Sequence, residues 1–138
     1  MTDRRMALAG GLVLLAMPLL AAAQTVSEVR FAPGDYGAMI RGTVTGDEYL
    51  DYRLRARAEQ RLFAEMTSDG IHEHGAPNFD ILPPGKGDVP LFDGSPDGTE
   101  LLPLTLPEDG TYTIRVYQLG EGRDSGRAAP FVLKLEIQ

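Results

Sequence analysis

The chain's two histidines, His72 and His74, stand two residues apart in "GIHEHGAP". On a strand that spacing puts both imidazoles on one face, where they could grip a metal ion. A third ligand would have to come from residues such as Asp69, Asp80 or Asp88. No H-E-x-x-H spacing and no cysteine supports such a centre, so a polar loop insertion is the expected reading. "DGSPDGTE" sets Asp93, Ser95, Asp97 and Gly98 in the acidic pattern of a calcium loop, but position twelve is Leu104 where a bidentate glutamate should stand. A tight turn between strands is expected there instead. No metal site is expected.

Catalysis is poorly supplied. A nucleophile and its base need a third group to orient them, and the only histidines are neighbours in one loop. The chain has no cysteine and no G-x-S-x-G. Carboxylates are so frequent that no pair of them marks a glycosidase. The glycine-rich turns lack the strand-to-helix setting of a phosphate cradle. The expectation is therefore a protein that is not an enzyme, with no catalytic residue and no cofactor. The cations are more suggestive. Arg123 and Arg127 fall in "QLGEGRDSGRAAP", Gln118 to Pro130, a segment longer than a hairpin needs. Arg53, Arg55 and Arg57 line one face of an alternating run, which reads as a solvated or edge face that discourages aggregation.

The elements that must position these residues are strands. Tyr52, Leu54, Ala56 and Ala58 alternate with Asp51, Arg53, Arg55 and Arg57, the signature of a half-buried strand. Ile40, Gly42 and Val44 alternate likewise, as do Leu62, Ala64 and Met66 less cleanly. Phe79 and Ile81 open a strand that "PPG" at residues 83–85 must close, because proline donates nothing to a ladder. Val89–Phe92 and Leu101–Leu106 are two further short candidates. Thr111–Tyr117 and Phe131–Gln138 are the clearest, with Tyr112, Ile114 and Val116 on one face and Thr113, Arg115 and Tyr117 on the other. Turn chemistry separates the runs. An all-β fold is expected: a single antiparallel β-sandwich of about eight short strands, each sheet with one wet face.

Residues 1–23 are expected to lie outside that fold. Arg4 and Arg5, an apolar run from Met6 to Leu20 and then Ala21-Ala22-Ala23 match a secretory signal cut before Gln24. The run is too short to span a bilayer comfortably. Residues 24–138 would then form one periplasmic domain with no membrane attachment after cleavage. Taking Arg4, Arg5 and Asp3 from totals of 13 basic and 20 acidic residues leaves 11 and 19, a net charge of −8. Such a domain repels nucleic acid and anionic lipid and attracts a basic partner. With no cysteine, its core must hold by packing alone.

"GTVTGDEYLDYRLRARAEQ" (42–60), "FDILPPG" (79–85), "LFDGS" (91–95) and "LPEDGTYTIRVY" (106–117) resemble the periplasmic inhibitors of goose-type lysozyme. They are also similar, more loosely, to bacterial pre-peptidase C-terminal β-sandwich modules. The likeness runs from about Phe31 to Ile137. It implies an inhibitor whose loops, at one end of the sandwich, enter a lysozyme cleft; the partner would be a goose-type lysozyme or another basic peptidoglycan-active protein. In that family a tyrosine beside the early glycine turn and two late-loop arginines carry much of the contact. Aligned without gaps, the arginine positions fall here on Gly120 and Asp124, and the tyrosine position on Asp47, with Tyr49 two further on. Arg123 adjoins the second position and Arg127 follows. The partner-binding candidates are therefore Arg123, Arg127, Asp124, Asp47 and Tyr49. An alternative from another class is a non-catalytic carbohydrate- or envelope-binding module using Tyr36, Tyr49, Tyr52 and Tyr117 as stacking faces. The phase of Tyr52 places it in the core, and the lack of tryptophan counts against sugar binding.

Overall fold

A computed structural model of the chain describes residues 24–69, 76–85, 89–94 and 100–138. The expected signal at 1–23, both histidines, Asp88, and Ser95, Asp97 and Gly98 of the calcium-like turn lie outside the described residues. Among those described, nine strands form two sheets. The first sheet has the order β1 (Gln24–Glu28), β3 (Tyr49–Ala56), β8 (Gly110–Tyr117), β5 (Asn78–Leu82), β6 (Phe92–Asp93). The second has the order β2 (Gly37–Thr45), β9 (Ala128–Ile137), β4 (Arg61–Ser68), β7 (Glu100–Thr105). Their inner faces carry the alternating residues of the long strands. Leu54, Leu62, Met66, Phe79, Ile81, Tyr112, Ile114, Phe131 and Leu133 are all buried. The outward partners Arg53, Arg55 and Arg57 are exposed. The all-β sandwich is thus the observed fold.

Two details differ from expectation. The antiparallel rule fails at one edge, where β1 pairs with β3 in parallel. Its sequence, QTVSE, carries no apolar alternation because β1 leans on the sheet through its backbone; Val26 is half exposed. The strand after the late loop begins at Ala128 rather than Phe131. Pro130 is accepted there because it costs one donor only, and its carbonyl still receives the Asp69 N–H at 3.0 Å. Pro103 also lies within a strand, but β7 is a sheet edge, and the register slips opposite it between Leu62 and Ala64.

Close contacts tie the two sheets. Gly42 leaves space that larger residues fill: a Cβ there would lie 2.7 Å from Phe131 Cζ and 2.9 Å from Tyr52 Oη. Tyr52 and Phe131 meet edge to face at 6.4 Å. The buried hydroxyl of Tyr112 donates to Glu108 O at 2.6 Å and accepts from Glu108 N–H at 3.0 Å. That pins the turn before β8 to the core, in the manner of a tyrosine corner.

Candidate functional site

The β2–β3 turn and the β8–β9 loop meet at one end of the sandwich. The turn is tight because Gly46 adopts φ +58°, and Glu48 caps it by accepting the Thr45 N–H at 2.8 Å. Gly46 N–H donates to Arg127 O at 2.9 Å. A Cβ on Gly46 would stand 3.3 Å from Gly126 Cα and 3.7 Å from Arg123 O, so the two loops lie against each other.

The late loop is neither irregular nor as long as the sequence suggests. It runs from Gln118 to Arg127 and contains one short helix, α1 (Gly120–Asp124). Gln118 follows β8 and is buried, at 8 % exposure. Its Nε2 donates to Arg127 O at 2.8 Å and, at 3.4 Å, to Val44 O. The amide side chain thus bridges both ends of the loop to the strand beneath. Gly122 is buried in the concave side of α1: a Cβ there would fall 2.5 Å from Gln118 Oε1 and 2.7 Å from Arg127 Nη2. Only a glycine lets these two side chains fold under the helix.

The five candidate residues therefore have unlike surroundings. Arg123 projects from α1 with its side chain 56 % exposed, loosely beside Asp124 at 3.7 Å. Asp124 and Asp47 are exposed. Arg127 is half-buried behind Gly122 and supports the loop from within. Tyr49 opens β3, and its ring lies under the Arg115 guanidinium, 4.4 Å from Cζ to the ring centroid. Among the described residues no group of three or more His, Asp or Glu side chains is arranged to hold a metal ion.

Beside this loop pair the outer face of the first sheet carries a polar row the sequence reading did not single out. Register sets Asp51, Arg115, Asp80 and Asp93 side by side across β3, β8, β5 and β6. Asp51 is only 5 % exposed although it faces outward, because Arg115 covers it with two hydrogen bonds of 2.8 and 2.9 Å. That bidentate pairing holds Arg115 charged more firmly than usual, its pKa raised chiefly by the hydrogen bond to Asp51. Asp80 accepts the Tyr117 hydroxyl at 2.8 Å and the Gly94 N–H at 3.2 Å. Burial, with Asp93 adding to it, still pushes its pKa above the ordinary 3.8. Tyr49, Asp80, Asp93, Arg115, Tyr117 and Leu119 line an open pocket of about 400 Å³. The signal for this row was the outward phase of Arg115 and Tyr117 beside that of Asp51, but pairing order cannot be read from one strand at a time.

Asp80 gives a stability prediction. A raised folded pKa means the native state holds its proton more tightly than the unfolded chain. Stability then falls as pH rises from the unfolded pKa through the folded one. Asp80→Asn removes that loss while still accepting the tyrosine hydroxyl. Thermal melts should find the variant at least as stable as the parent at pH 7, with its advantage gone below 3.8, the ordinary carboxyl value. A variant clearly less stable at neutral pH would contradict the assignment.

The fold is similar to that of a pre-peptidase C-terminal domain. The corresponding domain of a Bacillus anthracis collagenase superposes with a TM-score of 0.52 at 12 % identity, over 82 % of this chain and 94 % of that one, a likeness of fold alone. A stronger likeness is to a periplasmic inhibitor of g-type lysozyme, PliG, from Aeromonas hydrophila: TM-score 0.70, 29 % identity, 84 % of this chain and 98 % of that one. The Salmonella Typhimurium PliG superposes at 0.63 with 24 % identity, over 83 % and 98 % of the two chains. No family model matches the sequence, and no curated protein does.

Proposed function

We propose that the chain is a periplasmic lysozyme-inhibitor-like protein that obstructs a hydrolase cleft with the loop pair at one end of its sandwich. One observation carries the reading. Arg123 stands outward on α1, beside the Gly46 turn, on a loop whose both ends are tied to β2. A guanidinium held on an ordered loop loses little freedom on docking and can pair bidentately with a carboxylate in a glycosidase cleft. The likeness to the Aeromonas inhibitor supports a lysozyme as partner. A net charge of −8 on residues 24–138 would steer this chain toward a basic enzyme. Asp47 and Asp124 would line the rim, Tyr49 would flank it, and Arg127 would hold the loop's shape. Residues 1–23 would direct export and be removed.

The test is inhibition of a purified goose-type lysozyme. Arg123→Ala should weaken inhibition about tenfold, the loss of one docking arginine of moderate weight. Arg123→Lys should keep only part of it, since an ammonium cannot make the paired contact. No inhibition by the parent protein at micromolar concentration would overturn the reading.

A further inference from the structure

We propose that the pocket on the outer face of the first sheet receives a basic side chain, arginine or lysine, of the protein that the loop pair engages. This deepens the inhibitor reading and rests on it for the partner. The pocket lies beside the loop: Leu119, the residue before α1, is one of its walls and is 45 % exposed. A partner seated on α1 would therefore also cover it. The lining has the make-up of a docking hot spot, with two tyrosines and an arginine around a concave, partly apolar floor.

Its charge selects the occupant. Among the described residues Arg115 is the lining's only basic side chain, and Asp51 takes it through two bonds. Asp80 and Asp93 bring two further carboxylates, joined across the β5–β6 bridge. Among the described residues the lining thus sets two carboxylates and one guanidinium beside aromatic faces, a setting that favours a cation over an anion or a neutral ring. A guanidinium or ammonium entering beside Asp80 would relieve the like-charge contact between the two carboxylates. A neutral sugar would leave it in place.

Amide chemical shifts of the parent protein, followed during titration with Nα-acetyl-arginine amide, Nα-acetyl-lysine amide and chitotriose, test the assignment. The two cationic probes should move the signals of Asp80, Gly94, Tyr117 and Leu119 with millimolar affinity. Asp80→Asn should weaken that binding tenfold or more while its spectrum stays folded. Absent shifts at those residues, or shifts indifferent to Asp80→Asn, would overturn the proposal. So would a preference for chitotriose, which would make the pocket a glycan site. The experiment contains no lysozyme, so its outcome is independent of the inhibition assay. A protein that binds the cationic probes and inhibits nothing would keep its basic-side-chain pocket and lose only the lysozyme as partner.

Discussion

Phe131→Ala should destabilise the fold by about 3–5 kcal/mol, the range for deleting a fully buried ring. In a domain of this size that lowers the melting temperature on the order of 15 °C. Phe131 has no solvent exposure, sits on a central strand of the second sheet and reaches across to Tyr52 on the first. Its loss opens a hole between the sheets that neither backbone can close. Gly42 supplies a sharper test. In the parent, Gly42→Ala should cost about 1–3 kcal/mol, because its Cβ would press on Phe131 Cζ at 2.7 Å. In the Phe131→Ala background most of that obstruction has gone. The two substitutions together should therefore cost clearly less than their sum, and denaturant melts of the four proteins measure the difference. Simple additivity would mean that Gly42 and Phe131 are not in contact.

Arg115→Ala should rank next, at about 2–3 kcal/mol. Removing one partner of a buried ion pair strands the other charge, which costs several kcal/mol in a dry interior. Here Arg115 keeps 36 % of its side chain exposed, so water reaches the site and the loss is smaller. Asp51 nonetheless lies at 5 % exposure on an inner strand, and the substitution removes both arginine hydrogen bonds from it. Changing both residues, as Asp51→Val with Arg115→Leu, should recover most of the stability, because no charge is then left stranded. Urea melts of the singles and the double decide it. A double variant as unstable as Arg115→Ala would mean that the pair's surroundings, not the stranded carboxylate, set the cost.

The alternation of Tyr112, Ile114 and Val116, and of Phe131, Leu133 and Leu135, made the inner faces legible, since a period of two has one physical meaning. "PPG" marked the end of β5 for the same kind of reason: a missing donor. The parallel β1 was illegible because a strand held at an edge by its backbone has no need of a pattern. Asp51 read as solvent-facing because its phase was right; its burial comes from Arg115, which is 64 residues away in sequence and beside it in space. The late loop read as longer than a hairpin needs. The glutamine that folds it back, Gln118, looks from sequence like any polar residue after a strand. The resemblance drew attention to the end of the molecule where the β2–β3 turn and the late loop meet, while the brace beneath that loop and the neighbouring pocket needed the pairing order of the strands.

That brace has a consequence for how the surface can change. Gln118 reaches for main-chain carbonyls, Gly46 meets Gly126 through its α-carbon, and Gly122 contributes only the absence of a side chain. The handle of the loop is thus indifferent to what the outward positions 119, 121, 123 and 124 carry. Those positions are exposed and lie outside the brace, like a tool head on a fixed shaft. A lineage could drift from one target to another while its sandwich stayed the same, and a displayed library randomised at those four sites would be a practical route to binders for other clefts.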